Sequence, residues 1–149
     1  MGFSITGLLI SLILLAPNFL FVIFPPRKSQ PNQTKTNFFF TILEKIGQVG
    51  CFSIPVFSSF NFDQRRINIW FSLMAISILI YYTLWVRYFT HNRDLMVLFS
   101  PIAFIPIPMA IFPVLAFFFA AIWGKSVLLG FASILLAISH FKITFDTLK

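Results

Sequence analysis

The sequence has few ionisable side chains, and acidic ones are the scarcest. Its 149 residues include only four Asp and Glu, and charged residues make up 10% of the chain. By contrast, 58% of the residues are apolar and the mean hydropathy is +0.91, which leaves too little polar surface to cover a soluble globule. The length allows about one domain. The sequence therefore predicts a single membrane domain over residues 1–149.

Cysteine and the usual catalytic motifs are also scarce. Cys51 is the single cysteine, so the chain cannot form an intrachain disulfide or a multi-cysteine metal site. Glycine-rich phosphate loops, HExxH and GxSxG are absent, and Gly124-Lys125-Ser126 lacks the upstream glycine of a phosphate-binding loop. His91 and Asp94 alone are too few for a site, and we expect them to be a solvated loop pair. We therefore expect no metal and no cofactor.

Most of the sequence consists of long apolar runs. At about 1.5 Å per residue, five of them are long enough to cross a hydrocarbon core of about 30 Å. The first run has no basic residue before it and is too long for a cleaved signal, so we interpret it as a retained helix. The pattern predicts an all-α fold, a polytopic transmembrane helical bundle with spans at residues 4–24, 38–60, 67–86, 101–123 and 127–145.

The fourth run allows a second topology. Residues 95–123 are too many for one straight crossing, and they include Pro101, Pro106, Pro108 and Pro113. We expect the crossing to cover residues 101–123 after a broken or interfacial beginning. If this run does not cross, the alternative is four spans plus an interfacial segment.

Residues at the ends of the apolar runs indicate how the chain meets the membrane surface. Trp70, Trp85, Tyr88 and Trp123 lie near span ends, where an aromatic belt is expected. With five spans, one side carries Arg27, Lys28, Lys35, Arg87, Arg93, Lys142 and Lys149, and the other carries Arg65, Arg66 and Lys125. The positive-inside rule then predicts an N-terminus outside and a cytoplasmic C-terminus in the plasma membrane. These cations are expected to meet lipid headgroups, and no nucleic-acid partner is predicted.

Small and weakly polar residues recur at helical spacing within the spans. Such stripes let helix backbones approach closely in lipid, where packing rather than water drives association. We interpret them as helix-packing seams that leave Phe, Leu and Ile facing the acyl chains. The residues assigned to these seams are Gly7, Ser11, Gly47, Cys51, Ala116, Ala120, Gly124, Gly130, Ser133 and Ala137.

The rarer polar residues predict a vestibule near the cytoplasmic face. Its members are Asn18, Glu44, Gln48, Tyr82 and His140, together with the start of the fourth span. There, Pro106 and Pro108 would leave the carbonyls of Ile102 and Phe104 without intrahelical partners. Each member also has a plainer interpretation. Glu44 would be interfacial if its helix began there, His140 would suit a helix C-terminus, and Asn18 would repair hydrogen bonding after Pro17.

These features predict a small multi-pass protein that is a non-catalytic transport component or accessory subunit. The vestibule would be its ligand or proton site, and five spans are few for a full transport cycle, so we expect a homo-oligomer or a larger membrane complex. One alternative is a membrane-embedded lipid-modifying enzyme that uses Glu44 and a histidine. Another is a structural or assembly protein with no small-molecule site. The bias toward Phe, Ile, Asn and Lys is typical of AT-rich bacterial genomes.

Overall fold

The fold is a bundle of helices, taken from a computed structural model that describes residues 2–27, 37–57, 66–102 and 105–147. Over these residues the chain forms no strand. We number the helices in chain order. They are α1 (Ile5–Ile23), α2 (Phe38–Val56), α3 (Ile69–Thr90), the single-turn α4 (Leu95–Phe99), α5 (Pro108–Trp123) and α6 (Val127–Thr147).

Polar residues set where the first three helices begin. The Ser4 hydroxyl accepts a hydrogen bond from the Gly7 amide at 2.9 Å, and the Asn37 and Asn68 side chains cap α2 and α3 in the same way. These side chains satisfy amides that the first turn of a helix leaves without partners. The apolar runs thus become helices with defined starts.

The long helices alternate in direction, so the bundle has two distinct ends. The Ser4 amide donates to the Val56 carbonyl at 2.7 Å, which places the end of α2 beside the start of α1. At the same end, the Trp123 indole donates to the carbonyl of Arg66 at 3.1 Å. At the opposite end, the Arg27 amide donates to the Arg93 carbonyl at 3.3 Å. We call these the Trp123 end and the Arg93 end.

Four helices, α1, α2, α3 and α6, are long and apolar enough to cross a membrane. Their bounds follow the predicted spans closely, with α3 and α6 continuing to Thr90 and Thr147. The protein is therefore a membrane-embedded helical protein with at least four candidate spans. The 16 residues of α5 give a length of about 24 Å, which is shorter than the core of an ordinary bilayer.

The fourth predicted span begins later than expected. We predicted a crossing from Pro101, whereas the helix starts at Pro108. Proline disfavours the helical conformation in the residue before it, and it is well tolerated at the first helical position. The Ile102 carbonyl, which we expected to lack a partner, accepts from the Ile105 amide at 3.0 Å, and the reverse bond measures 3.1 Å. Residues 100–102 and 105–107 thus lie outside any helix and precede α5.

Some predictions concern residues outside the described ranges. They include the predicted end of the second span at Phe60 and the carbonyl of Phe104. The same holds for four of the basic residues that carry the charge bias, namely Lys28, Lys35, Arg65 and Lys149.

Close backbone contacts join α2 to its neighbours, and glycines permit them. A Cβ atom on Gly7 would overlap the Pro55 carbonyl, and one on Gly47 would lie 2.8 Å from the Leu136 amide nitrogen. Ser11 adds a side-chain hydrogen bond of 2.9 Å to the Phe52 carbonyl. These contacts bring both α1 and α6 against α2. Van der Waals contact at this range is the main source of association between helices in lipid.

The other residues of the predicted seams are mostly enclosed. Cys51, Ala116, Ala120, Gly124 and Ser133 are buried. Ala137 is half-buried against the core. Gly130 differs, because a Cβ there would meet only Ala121 at an ordinary 3.9 Å.

The predicted aromatic belt is wrong for three of its four members. Trp85, Tyr88 and Trp123 are buried in the core, and only Trp70 is exposed. Trp85 and Tyr88 join Phe21 in a cluster with ring centroids 5.6 to 5.9 Å apart. Proximity to a span end therefore did not indicate a headgroup position. The aromatic faces supply contact area between α1 and α3.

Candidate functional site

A cavity of about 410 Å³ lies toward the Arg93 end, between all six helices. Ile107, which precedes α5, and Ala110 and Pro113 near its start line one wall. Leu98 of α4 closes part of the same wall. Most of the lining is apolar, as is usual for small-molecule sites. The polar lining residues are Asn18, Gln48, Tyr81, Trp85, His140 and Thr144.

Glu44 and His140 form a pair beside this cavity. The His140 ring nitrogen Nδ1 contacts the Glu44 carboxylate, joining α2 to α6. The Glu44 side chain is 16% exposed and the His140 side chain is 30% exposed, so both are partly withdrawn from the surface. His140 lines the cavity, whereas Glu44 contacts His140 and is not itself part of the lining. A carboxylate facing an imidazole can hold or exchange a proton between them.

The pair lies within its two helices rather than at a helix end. Glu44 follows the start of α2 by six residues, which is about 9 Å along the axis. His140 precedes the last residue of α6 by seven, or about 10 Å. Because α2 begins at Phe38, an interfacial Glu44 at the start of its helix is not what the structure shows. Ionisable residues within membrane-spanning segments are costly and usually functional.

On the opposite wall, α1 and α3 contribute a second polar group. Asn18 of α1 and Tyr81 and Trp85 of α3 line the cavity there. Trp85 Nε1 is buried and has no hydrogen-bond partner among the residues described here. Trp85 is only 5% exposed. Unpaired buried donors are uncommon in proteins and need an explanation.

Tyr82 has a structural role outside the cavity. Its hydroxyl donates to the Ile13 carbonyl at 2.7 Å. Pro17, four residues later in α1, has no N–H to pair with that carbonyl. Tyr82 therefore supplies the hydrogen bond that Pro17 cannot, which is the alternative role that we considered for Asn18. Asn18 is exposed and lines the cavity instead.

The structure thus brings together most of the predicted vestibule. Asn18, Gln48 and His140 line one cavity, and Glu44 contacts His140. Tyr82 does not line it, and its neighbour Tyr81 does. Trp85 was missed because a tryptophan near a span end indicates a lipid interface. The signal that could have found it is its spacing from Tyr81, since residues four apart share a helix face.

His91 and Asp94 take part in local structure. Asp94 caps α4 by accepting from the Met96 amide at 3.1 Å. His91 Nδ1 lies 2.9 Å from the Arg87 carbonyl, where α3 ends. Nowhere in the described chain do three His, Cys, Asp or Glu residues group as metal ligands.

Comparisons with protein-family models, with curated proteins and with solved structures found no match for this chain.

Proposed function

We propose that the chain is a non-catalytic transport component or accessory subunit of the plasma membrane, with the cavity as its cytoplasm-facing ligand or proton site. The observation that carries this proposal is the Glu44–His140 pair at the edge of the cavity. A site that combines a protonatable pair with an apolar cavity can link ligand occupancy to proton binding. Gain of a proton by Glu44, or loss of one by His140, would release the imidazole toward the cavity.

Few other charges act on the pair. Lys45 on α2 is exposed, and Lys142 and Asp146 on α6 pair with each other at 2.6 Å. The sequences of α1 and α5, which pack against α2 and α6, contain no charged residue. Glu44 and His140 therefore depend mainly on one another for charge compensation. Ion pairs in a low-dielectric setting lose more when one partner is removed than surface pairs do.

The alternating helices support five crossings and a cytoplasmic Arg93 end. Arg27, Arg93 and Lys142 lie at that end, and Arg66 and Lys125 lie at the other. With α5 counted as a crossing, the N-terminus is outside and the C-terminus is cytoplasmic by the positive-inside rule. The cavity then opens toward the cytoplasmic leaflet.

A larger assembly completes the proposal. A chain with only five crossings lacks the paired repeats from which most transporters build alternating access. We therefore place this chain in a homo-oligomer or a larger membrane complex, where its cavity serves one step of the process.

The test is proton movement across vesicles that contain the purified protein. A pH gradient is imposed and its decay is followed with an entrapped dye, for the wild type, Glu44→Gln and Asp146→Asn. Asp146→Asn is the matched control, since it removes an acidic group at the same end without touching the cavity. We expect decay for the wild type and the control, and none above empty vesicles for Glu44→Gln. Equal decay for the wild type and Glu44→Gln would contradict a proton role for Glu44.

A membrane-embedded enzyme acting on lipid is the second candidate, favoured by the same contact between an acid and a base. In that case Glu44→Gln and His140→Ala would both change the lipid composition of cells, and neither would alter proton movement in vesicles. If both variants leave lipids and proton movement unchanged, the enzyme and the proton site are both excluded.

A further inference from the structure

We infer that the cavity binds an apolar molecule through a hydroxyl group, which donates its proton to His140 Nε2 and accepts a hydrogen bond from the Gln48 amide. The inference rests on the proposed ligand site and adds the chemical class of its ligand. It starts from two side chains that line the cavity from α2 and α6. Within the described chain, neither the Gln48 amide nor His140 Nε2 has a hydrogen-bond partner.

Glu44 determines which ring nitrogen His140 presents to the cavity. The Glu44 carboxylate contacts Nδ1 and is not part of the lining, whereas His140 is. The other nitrogen, Nε2, therefore belongs to the part of the ring that lines the cavity. A carboxylate accepts a hydrogen bond, so it holds the proton of a neutral imidazole on Nδ1 and leaves a lone pair on Nε2. A ligand hydroxyl can donate to that lone pair.

The two groups are accessible from the cavity, unlike the indole N–H of Trp85. The side-chain atoms that are fully buried without a partner in the described part of the chain are Trp85 Nε1 and Arg87 Nη1. His140 Nε2 and the Gln48 amide are not among these atoms, and both residues are half-buried. A molecule in the cavity can therefore contact them.

Gln48 lies beside His140 because of the way α2 and α6 pack. It follows Glu44 by four residues, or about 6 Å along α2, and so shares its helix face. The neighbouring Gly47 packs against Leu136, which is one turn before His140 on α6. The amide and the imidazole are thus one helical turn apart, within reach of the same hydroxyl oxygen. The amide N–H donates to that oxygen.

The acid and base pair favours a hydroxyl over a carbonyl or an ion. A hydroxyl both donates and accepts, so it stays bonded when His140 gains a proton and Nε2 becomes a donor. A carbonyl only accepts, so it would face the lone pair of the neutral ring. Among the described lining residues, His140 alone carries a charge near neutral pH, and Glu44 already contacts it. An ionic ligand would lose its hydration without gaining a counter-ion, which is strongly unfavourable.

The walls of the cavity favour an apolar body behind the hydroxyl. The volume of about 410 Å³ lies within the range of sites for small organic molecules. Phe21 meets Trp85 edge-on at 5.8 Å, and Phe52 meets Phe117 edge-on at 5.2 Å, so aromatic rings line two parts of the wall. Such surfaces bind flat rings and acyl chains alike. The hydroxyl can therefore be carried by an aromatic ring, as in a phenol or hydroquinone, or by an aliphatic chain, as in a lipid alcohol.

The test observes the histidine rings directly. The full chain, labelled with ¹⁵N-histidine, is held at mildly alkaline pH in dodecylphosphocholine, a detergent without hydroxyl groups. The sequence contains two histidines, so the variant His91→Asn identifies the ring signals of His140. Four probes are added in separate titrations. They are para-octylphenol and its methyl ether, and decanol and its methyl ether.

We expect the Nε2 signal of His140 to change and to saturate with at least one of the two hydroxyl probes. The matching ether, which cannot donate, should bind about tenfold more weakly, the size expected for one hydrogen bond. The His91 signals should stay in place, because that residue does not line the cavity. Binding of the phenol alone assigns an aromatic hydroxyl, binding of decanol alone assigns an aliphatic one, and binding of both assigns the shared chemistry.

Two results would overturn the inference. One is a His140 signal that neither hydroxyl probe changes, or that changes without saturation. The other is an ether that binds as tightly as its parent hydroxyl compound, since the donated hydrogen bond would then contribute nothing.

Two variants locate the binding. Gln48→Met removes the amide at similar side-chain volume and should weaken binding of the hydroxyl probe about fivefold. Lys45→Met is its matched control, since Lys45 is exposed on another face of α2 and should leave binding unchanged. Ala110→Phe fills the cavity and should abolish binding, with an unchanged Nδ1 signal of His140 as the check on folding. Equal binding by the Gln48 and Lys45 variants, or binding by a folded Ala110→Phe protein, would contradict the inference.

The outcome is separable from that of the proposed function. Glu44→Gln keeps a side chain at Nδ1 but no longer fixes the proton there, because an amide can donate or accept. The hydroxyl probe should still bind to this variant, with a smaller preference over its ether. If the hydroxyl probe binds and proton movement does not depend on Glu44, the ligand class stands and the proton role falls. If proton movement depends on Glu44 and no hydroxyl probe binds, the proton role stands and the ligand class falls.

Discussion

Helix backbones touch on one flank of the bundle, where α2 lies between α1 and α6. At the start of α5, by contrast, the helices leave a cavity of about 410 Å³ between them. The first flank is built on glycine and small residues, and the second on proline and large aromatic rings. Glycine lets two helices meet, whereas the prolines before α5 delay a helix and leave space behind. The same short chain thus combines a close-packed region with an open one.

The difference teaches where substitutions will be tolerated. Close-packed seams have no room for an added methyl group, while a cavity accepts extra volume at little cost. Polar side chains also have different roles in the two regions. The seams use hydroxyls for hydrogen bonds between helices, and the cavity holds the groups that can meet a ligand.

The largest effect is expected at Gly7. Gly7→Ala places a methyl group against the Pro55 carbonyl, so α1 and α2 must separate. We expect the free energy of unfolding to fall by about 3 kcal/mol or more. The control is Gly130→Ala on α6, where the new Cβ would meet Ala121 at 3.9 Å. Unfolding in mixed micelles measures both, and equal stabilities would show that the seam is not close-packed.

A pair of identical substitutions compares the two flanks directly. Ala120 is fully buried outside the cavity, and Ala110 is 3% exposed but lines it. We expect Ala120→Leu to lower the free energy of unfolding by about 2–3 kcal/mol and Ala110→Leu by less than about 1 kcal/mol. The same unfolding assay tests this difference. A larger cost at Ala110 would mean that the cavity is not available space.

A smaller effect is expected where Tyr82 repairs α1. Tyr82→Phe removes the hydrogen bond to the Ile13 carbonyl and should cost about 1 kcal/mol. In a Pro17→Ala background the restored amide can pair with that carbonyl, so the same change should cost much less. A double-mutant cycle of unfolding energies measures the difference. Equal costs in both backgrounds would refute the link between Tyr82 and Pro17.

The smallest effect belongs to the surface of the Arg93 end. Lys142 and Asp146 form an exposed pair four residues apart on α6. Because solvent screens such pairs, Asp146→Asn should change the free energy of unfolding by less than about 0.5 kcal/mol. The result also validates this variant as the control for Glu44→Gln. A loss above 1 kcal/mol would disqualify it.

Helix positions could be predicted from the sequence because they depend on the length and hydrophobicity of local runs. Thus α1, α2, α3 and α6 begin within two residues of their predicted starts. The start of α5 was harder to predict, since Pro101, Pro106 and Pro108 each allow a helix to begin after them. The last of them begins the helix, because Pro108 disfavours the helical conformation in Ile107 and is itself tolerated at the first helical position.

The site could be predicted in part. Helical spacing identifies which residues share a face, and so it grouped Glu44 with Gln48 and set His140 on the polar side of α6. Spacing does not reveal which neighbouring helix a face will meet. Tyr81 and Tyr82 differ by about 100° around α3, and only the position of α1 decides that one lines the cavity while the other bonds Ile13.

The shortness of α5 makes the protein sensitive to its membrane. Phe118 is the one clearly exposed side chain of this helix, while α3 and α6, with 22 and 21 residues, are long enough to cross a hydrocarbon core. Long helices tilt when the bilayer thins, and α5 has no length to spare for the same adjustment. Acyl-chain length should therefore change the volume of the cavity at the start of α5. Lipid thickness would then regulate which molecules fit in that cavity.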